Sequence, residues 1–342
     1  MVTRRDVALR AGTSEAVVSY VVNNGPRNVA PATRERVLTA IRELGYRANA
    51  VARSLRTNRT MSIGVVTPDS SNEFFGYLTR AIESVAFDFG YTTLLGNAME
   101  DPEREGQYVR TLLDRQVDGL IVIPVPGSTV LEADLDRAPV PFVILDRSLD
   151  DEHAVEITVD NEQAAYVATN HLLGHGNTRI ACVAGPESAR TTTARVAGWR
   201  RGLADRGIDP ATLPLAYGTF RLDDGYRAGL EILTGADRPD AVFATSDEQA
   251  MGVLRAAAEL GLRVPDDLAV LGFDGIERGR FSVPSLSTVQ QPMEQLADCA
   301  FRHLEHRIRN SKADALPKTF STELVLRESC GCRSSPVNRT DG

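Results

Sequence analysis

The sequence predicts a small all-α helix-turn-helix head followed by an α/β core of two doubly wound parallel-sheet subdomains. Residues 1–60 hold eleven arginines, no lysine and four acidic residues, a net charge of +7 in a chain whose total is −8. Glycines divide this stretch into short apolar-periodic segments. From residue 61 onward, apolar runs of strand length alternate with amphipathic helical stretches, which is typical of parallel sheets with helices on both faces.

The opposite net charges of residues 1–60 and of the rest of the chain indicate two different functions. The chain beyond residue 60 carries −15, so a basic head is joined to an acidic body. This arrangement indicates a polyanion-binding module on a carrier that avoids polyanions. We therefore expect the head to bind nucleic acid and the body to do something else.

Other features of the 342-residue sequence limit the class of protein. No apolar run reaches the roughly 18 residues of a membrane span, and no apolar secretory core follows Met1. We expect a cytoplasmic protein that does not contact membranes. Four cysteines do not form a disulfide framework in a chain of this length, so reduced thiols are expected.

The first two helices of the head are predicted from their ends. Thr3 can cap a helix with Asp6 three residues later, and Gly12 ends it. Ser14 then begins a second helix that we expect to run through Asn23. Two short helices joined by a glycine turn predict a helix-turn-helix motif.

A third helix completes the predicted head. Pro31 suits its first turn and Gly45 ends it. Its expected buried stripe consists of Val37, Leu38, Ile41 and Leu44.

The second helix of such a motif enters the major groove, and its early exposed residues face base edges. Glu15 could accept a hydrogen bond from a cytosine amino group, Ala16 could touch a thymine methyl, and Tyr20 could donate to or pack on a base edge. Ser14, Ser19 and Asn23 suit phosphate oxygens. The alternative for any one of them is a solvated helix surface.

Two segments carry a specific resemblance. They read RRDVALRAGTSEAVVSYVVNN and TRERVLTAIRELGYRANAVARSLRTNRTMSIGVV. Together they resemble the head, hinge and first strand of the lac/gal repressor (LacI) family. The sequence departs from the family pattern at Val17, Tyr20 and Ala48, where threonine, arginine and proline are usual. Tyr20 cannot make the bidentate contact with guanine that arginine makes, so these departures concern the operator sequence.

Residues 48–60 form the expected hinge. The stretch Asn49 to Arg56 makes a helix too short to be stable alone in water. The resemblance implies that it folds when two copies pack together on DNA. Leu55 matches the wedge residue that enters the minor groove, with Arg53 and Arg56 near phosphates or the groove floor. The alternative is a flexible linker.

Strands are predicted in the body at seven apolar runs: 62–67, 92–95, 119–123, 142–145, 180–184, 241–244 and 269–273. Residues 103–115 and 249–260 are expected to be two of the intervening helices. Two such sheets would bind small molecules in a cleft at the carboxyl ends of their strands.

The body resembles the regulatory core of the same family, which is similar to periplasmic sugar-binding proteins. The resemblance covers about Arg4 to Cys332 and includes VILDRS, HLLGHGNTRIACVAGP, RVAGWRRGL, TSDEQAMGVLRAAAELGLRVPDDLAVLGFDG and ELVLRESC. It implies a DNA-binding domain over 1–47 and an effector-binding and dimerisation core over 61–330. Within the core, an N-subdomain covers about 61–160 plus 290–322 and a C-subdomain about 161–289 plus 323–332. Residues 333–342 are expected to be a flexible tail.

The resemblance also implies an effector pocket, with Phe74, Asp146, Arg195, Phe220, Ser246 and Asp274 at its positions. Carboxylates and a guanidinium would bind a polyhydroxylated ligand, and phenylalanine faces would pack on its apolar side. We expect a carbohydrate, although a nucleoside would also suit. Alternatives are a salt bridge across the cleft for Arg195, a helix cap for Asp274 and ordinary core for the phenylalanines. Asp247 and Trp199 are expected to be structural.

We predict no cofactor, no metal and no enzymatic activity. Cys299, His303 and His306 share a helix face and could join Cys330 and Cys332 at a metal, but no paired CxxC fixes such a geometry. His171 and His175 flank a helix end and are expected to be C-terminal caps. The chain also lacks phosphate-cradling glycine motifs, GxSxG and HExxH.

The resulting hypothesis is a homodimeric transcriptional repressor that binds a pseudo-palindromic double-stranded DNA operator and responds to a small-molecule effector. Whether the effector is an inducer or a corepressor stays open. A solute-binding protein for transport would share the body but would not need the basic head. A Rossmann-type enzyme would need a glycine fingerprint after Val66, where Thr67, Pro68 and Asp69 stand.

Overall fold

The structure, a computed structural model, describes residues 2–22, 27–47, 54, 59–128, 130–147, 156–235, 237–309 and 319–332. The chain divides into two compact units, Met1–Thr60 and Met61–Gly342. Among the described residues, every helix is too short or too polar to cross a lipid bilayer.

The described part of the first unit includes helices α1 (Arg4–Ala11), α2 (Glu15–Val22) and α3 (Pro31–Leu44). The capping box predicted at the start of α1 is confirmed, because the Asp6 amide donates to Thr3 Oγ1 and the Thr3 amide donates to Asp6 Oδ2. Gly12 and Gly45 end α1 and α3 with φ of 61° and 62°, the left-handed conformation that glycine adopts most readily. Asn23, the predicted end of α2, lies outside the described residues.

A small apolar core holds these helices together. It consists of Val7, Ala8, Ala11, Val18, Val21, Val37 and Ala40. The predicted stripe of α3 was wrong at Leu38, which is 37% exposed. Ala40 is buried in the core, because the face of α3 that meets α1 and α2 is centred between Val37, Ala40 and Ile41.

The second unit alternates strands and helices. Its strands are β1 (Ser62–Thr67), β2 (Thr92–Asn97), β3 (Leu120–Val122), β4 (Phe142–Leu145), β5 (Glu156–Val159), β6 (Ile180–Ala184), β7 (Leu215–Tyr217), β8 (Ala241–Ala244), β9 (Ala269–Asp274), β10 (Ser287–Gln290), β11 (Thr319–Phe320) and β12 (Glu323–Val325). Its helices are α4 (Glu73–Asp88), α5 (Pro102–Asp114), α6 (Val130–Asp136), α7 (Asn161–Gly174), α8 (Arg190–Ala204), α9 (Leu222–Thr234), α10 (Asp247–Glu259), α11 (Glu277–Arg280) and α12 (Met293–Ile308).

The strands form two six-stranded sheets. The first has the order β11-β5-β4-β3-β1-β2, and all of its pairs are parallel. The second has the order β12-β10-β9-β8-β6-β7 and is parallel except for the edge strand β12. The central strands are fully buried, as expected where helices cover both faces of a sheet. The predicted fold class is confirmed.

Glycines allow two helix pairs of the second sheet to approach closely. Gly252 of α10 lies against the backbone of α9, where an added Cβ would be 2.3 Å from the Leu222 carbonyl oxygen. Gly198 of α8 faces α7 in the same way, with an added Cβ 2.1 Å from the Glu162 carbonyl oxygen. The two pairs therefore pack backbone to backbone, at a separation that no larger residue permits.

Candidate functional site: a charged cleft between the two sheets

A cleft lies at the carboxyl ends of the strands, between the two sheets of the second unit. About 260 Å³ of space, part of it open to solvent, lies between its walls. Its lining residues are Asn72, Phe74, Phe75, Asp146, Arg147, Thr191, Arg195, Phe220 and Asp274. Five of the six predicted effector-binding residues are therefore brought together, and Ser246 is not among the lining residues.

Arg195 is the most constrained of these side chains. It projects from α8 and is only 3% exposed. Its Nε donates to Asn161 Oδ1 at 2.8 Å, and Nη1 donates to the Thr245 carbonyl at 2.6 Å. The guanidinium lies 3.7 Å from the centre of the Phe273 ring, a cation–π contact. Three neighbouring elements thus hold the charge at the base of the cleft.

Two buried carboxyl groups face this guanidinium. Asp274 ends β9 and its Oδ1 lies 3.7 Å from Arg195 Nη1, while also accepting a hydrogen bond from Gln291 Nε2 at 2.9 Å. Asp146 follows β4, and its Oδ1 has no hydrogen-bond partner among the residues that the structure describes. Burial raises the pKa of both carboxyl groups, although Arg195 opposes the rise.

Both aspartates have a backbone conformation that is uncommon outside glycine. The φ of Asp146 is 66° and that of Asp274 is 124°. Strained residues of this kind cluster at binding sites, where the surrounding structure fixes them. The strain turns both side chains into the cleft at the ends of their strands.

Arg147 is the principal lining residue that sequence reasoning missed. Its Nη1 donates to the Pro124 carbonyl at 3.1 Å and pairs with Glu100 at 3.5 Å. The guanidinium also lies 4.9 Å from the Phe75 ring centre and 5.4 Å from that of Phe220. Its position directly after Asp146 in VILDRS was the available signal.

Asn72, Phe75 and Thr191 were missed as well. Thr191 precedes Arg195 by one helical turn on α8, so helical spacing could have indicated it. Asn72 caps α4 by accepting from the Phe74 amide at 3.0 Å, and Phe75 packs edge-to-face on Phe74. Neither position has a distinctive pattern in the sequence.

Ser246 and Asp247 support the cleft from behind. Ser246 caps α10, and its hydroxyl accepts from the Gln249 amide at 3.2 Å. Asp247 accepts from the amides of Gly275 and Ile276, both at 2.8 Å, and from Thr288 Oγ1 at 2.6 Å. It therefore fixes the turn that follows Asp274. Burial raises the pKa of Asp247 to about 7, although these hydrogen bonds lower it.

The rim of the cleft is bridged by polar contacts between the two sheets' loops. Arg221, before α9, forms an ion pair with Asp69, which follows β1. Burial opposes ionisation of Asp69, but hydrogen bonds from Ser71 and the charge of Arg221 hold its pKa below the ordinary value. On the other side of the rim, Glu73 Oε2 lies 3.1 Å from Arg278 Nε. These contacts link the loops of the two sheets across the rim.

In the first unit, the predicted DNA-contacting residues of α2 lie at its surface. Ser14, Glu15 and Ala16 are exposed, and Ser19 and Tyr20 are half-buried. The Arg27 guanidinium lies 5.9 Å from the Tyr20 ring centre. Asn23, Arg53, Leu55 and Arg56 lie outside the described residues, as does the predicted tail 333–342.

The combination of cysteines and histidines considered from the sequence is not the one that forms. Cys299, His303 and His306 lie on α12. Cys330 and Cys332 lie beside His171 and His175 instead, because the chain returns to the second sheet after β11 and then passes beside the end of α7. His175 is the C-cap residue of α7, as predicted, but the prediction was wrong for His171, which lies within the last turn of that helix. None of the four cysteines takes part in a disulfide.

Comparison with known proteins identifies the chain. Residues 3–49 match the family described as bacterial regulatory proteins, lacI family, and residues 169–330 match a periplasmic binding protein-like domain. The HTH-type transcriptional repressor PurR of Klebsiella pneumoniae (strain 342) is 36% identical over 332 residues, which cover 96% of this chain and 97% of the relative.

Solved structures agree with that match. The lac repressor dimer bound to operator and the anti-inducer ONPF has a TM-score of 0.85 at 29% identity, covering 96% of this chain and 99% of that one. A LacI family transcriptional regulator from Enterococcus faecium with bound ribose has a TM-score of 0.72 at 29% identity, covering 78% and 98%. The chain belongs to the lacI family of bacterial regulatory proteins and is a DNA-binding transcriptional repressor with a ligand-binding core.

Proposed function

We propose that this repressor binds a pseudo-palindromic operator as a homodimer and changes its affinity for DNA when a small carbohydrate occupies the cleft. The observation that carries the proposal is the set of lining side chains, two arginines and two aspartates among three phenylalanines. A site with balanced charges and aromatic walls suits a neutral ligand that has many hydroxyl groups and one apolar face.

The polarity of the cleft supports a sugar ligand. Asp146 Oδ1, without a described partner, would accept from a ligand hydroxyl, since buried polar atoms are almost always hydrogen-bonded. The similar Enterococcus faecium regulator contains ribose, a ligand of the proposed class.

Calorimetry tests the effector class. The full-length protein is titrated with monosaccharides, with nucleosides and with free nucleobases, and the titrations are repeated with an operator fragment present. The proposal expects heat only from a monosaccharide and a change in its affinity when operator is added. Binding of a nucleoside or nucleobase alone would replace the carbohydrate assignment, and binding that operator leaves unchanged would contradict the allosteric coupling.

The ion pair at the rim gives a prediction about closure. Replacing Arg221 by alanine removes the cation that bridges to Asp69 and should disfavour the closed cleft by about 1 kcal/mol, or about fivefold in effector affinity. Arg227→Ala is the matched control, because Arg227 pairs with Asp224 of its own helix α9. Calorimetry should show weaker binding for Arg221→Ala only. Equal affinities would mean that the bridge does not contribute to closure.

A second prediction concerns the hinge. Leu55→Ala should weaken specific operator binding by about tenfold, or about 1.4 kcal/mol, because the wedge that opens a base step is lost. The affinity of the free protein for its effector should not change. Fluorescence anisotropy with labelled operator measures the first quantity and calorimetry the second. Unchanged operator binding would contradict the role assigned to Leu55.

DNA binding by the head and effector binding in the cleft account for the whole proposed activity, so we propose that the regulator has no enzymatic activity. We also propose that it acts in the cytoplasm, where its operator DNA lies. The residues proposed to contact DNA are the same ones that the sequence predicts. Substituting Glu15 or Tyr20 should change which operator is preferred, whereas substituting Ser14 or Ser19 should weaken binding to all sequences alike.

A further inference from the structure

Four side chains from distant parts of the sequence converge away from the cleft. His171 and His175 lie at the carboxyl end of α7, and Cys330 and Cys332 lie on the short 3-10 turn Glu328–Cys330 and just after it. One ligand atom from each, either a ring nitrogen or a sulfur, lies within 4.8 Å of all the others. Within the described part of the chain, no other group of three or more metal-ligating residues is this compact.

The distances match a tetrahedral metal centre. His171 Nε2 lies 3.3 Å from Cys330 Sγ and 3.6 Å from Cys332 Sγ, and Cys332 Sγ lies 3.3 Å from His175 Nε2. Around a tetrahedral zinc ion with Zn–N and Zn–S bonds of about 2.0 and 2.3 Å, nitrogen and sulfur ligands are separated by about 3.5 Å. These three nitrogen–sulfur separations are close to the corresponding edges of such a tetrahedron. Since all four ligand atoms lie within 4.8 Å of one another, small side-chain movements would bring them onto one ion.

We propose that His171, His175, Cys330 and Cys332 form a structural zinc site. Two nitrogen and two sulfur ligands are the donor set that zinc prefers. All four positions would be filled by the protein, so the ion would have no open position for a substrate. Binding would displace the two thiol protons into solvent, and the two thiolates would neutralise the charge of the ion.

The backbone and a neighbouring hydroxyl prepare the site. Gly331 has a φ of 93°, and this left-handed turn lets the cysteines on either side of it face the same histidines. Ser287 Oγ donates to Cys330 Sγ at 3.1 Å, a contact that orients the ligand from outside the coordination shell. Ser329 is fixed separately, since its hydroxyl donates to the Val270 carbonyl at 2.6 Å.

The cluster is also accessible from one side. Cys330 is 1% exposed, whereas Cys332 and His171 are half-buried and His175 is exposed. An ion can therefore enter past His175 and be held against the buried thiol. The site would fasten the end of the described chain to α7 at the end of the helix opposite Asn161, about 20 Å away by the length of a 14-residue helix.

Cobalt substitution tests the proposal directly. The full-length chain is reduced, stripped with a chelator and titrated with Co²⁺. The expected result is one cobalt per chain, with d–d and thiolate-to-metal absorption bands that zinc abolishes by competition. Elemental analysis of the zinc-loaded protein should give one zinc per chain after gel filtration.

Variants locate the ion. Cys332→Ser with His175→Gln changes two accessible ligands and should abolish the cobalt bands and weaken zinc binding by about a hundredfold or more. Cys299→Ser with His306→Gln removes the same residue types from α12 and should leave both unchanged. Zinc should raise the melting temperature of the parent chain and of this control only.

Three results would overturn the proposal. The first is that the reduced protein takes up no stoichiometric metal. The second is that the Cys332→Ser, His175→Gln variant binds zinc as tightly as the parent does. The third is that freshly purified protein has a Cys330–Cys332 disulfide and binds no zinc after that disulfide is reduced. None of these results depends on effector or operator binding, so the proposed function stands or fails separately.

Discussion

Replacing Arg195 by methionine is expected to weaken effector binding strongly and to lower the free energy of unfolding of the core by about 3–5 kcal/mol. The guanidinium is 3% exposed and donates to Asn161 and Thr245. Methionine keeps most of the apolar volume but leaves Asp274 without its buried cation. Urea denaturation measures the stability, and calorimetry measures the affinity, which should fall by about a hundredfold or more.

The pH dependence of this loss has a definite sign. Burial raises the pKa of Asp274 well above its ordinary value even with Arg195 opposing the rise. A carboxyl group whose pKa is higher in the folded protein stabilises the fold when protonated, and this contribution is lost as pH rises through the folded-state pKa. Without Arg195 the pKa rises further. The destabilisation should therefore be larger in mildly alkaline than in mildly acidic solution.

A second variant separates stability from binding. Arg195→Met combined with Asp274→Asn removes the orphaned charge and should recover part of the stability without restoring effector binding. Arg255→Ala is the control, because Arg255 forms an exposed pair with Glu259 that is worth less than about 1 kcal/mol. If Arg195→Met retained effector affinity, Arg195 would not belong to the binding site.

The second large effect is expected from a single methyl group at the crossing of α9 and α10. In Gly252→Ala, the new Cβ would lie 2.3 Å from the Leu222 carbonyl oxygen and 2.4 Å from the Tyr226 amide nitrogen. Both neighbours are backbone atoms of α9, so no rotamer change relieves the overlap. The helices must separate, which should cost about 3 kcal/mol in the free energy of unfolding.

Gly174→Ala provides the matched control for this substitution. Gly174 is the last residue of α7, and an added Cβ there would meet nothing within 4 Å. Alanine has the higher helix propensity, so this variant should be as stable as the parent or more stable by about 0.5 kcal/mol. If urea denaturation showed equal stabilities for the two variants, the backbones of α9 and α10 would not be in contact at Gly252.

The part of the fold that the sequence predicts well is the part with a strong local signal. The strands β1, β4, β6 and β8 have the predicted bounds, because each is a buried apolar run between polar loops. The strands β5, β7, β10, β11 and β12 were not predicted. They have two to four residues, and four of the five are only partly buried. Such strands are defined by their neighbours in the sheet and not by their own pattern.

Only those cleft residues that lie in recognisable family motifs were predicted from the sequence. The lining residues that those motifs indicated are Phe74, Asp146, Arg195, Phe220 and Asp274. They did not indicate Arg147, whose role depends on the Phe75 and Phe220 rings on either side of it. They also assigned Ser246 to the pocket, whereas its hydroxyl caps α10. Contacts between residues far apart in the sequence carry no local signal, and His171 and Cys330 are a second instance, 159 positions apart.

The polypeptide passes between the two sheets three times, from β5 to α7, from β10 to α12 and from β11 to β12. Three adjacent tethers act as a door hinge does, since they permit rotation about the line that joins them and resist sliding or twisting. Binding of an effector in the cleft would then favour rotation of the two sheets about this one axis. Proteolytic cleavage of any one of these crossing segments would keep the rotation axis but make it less rigid. The cleaved repressor should therefore still bind its effector, with a smaller resulting change in operator affinity.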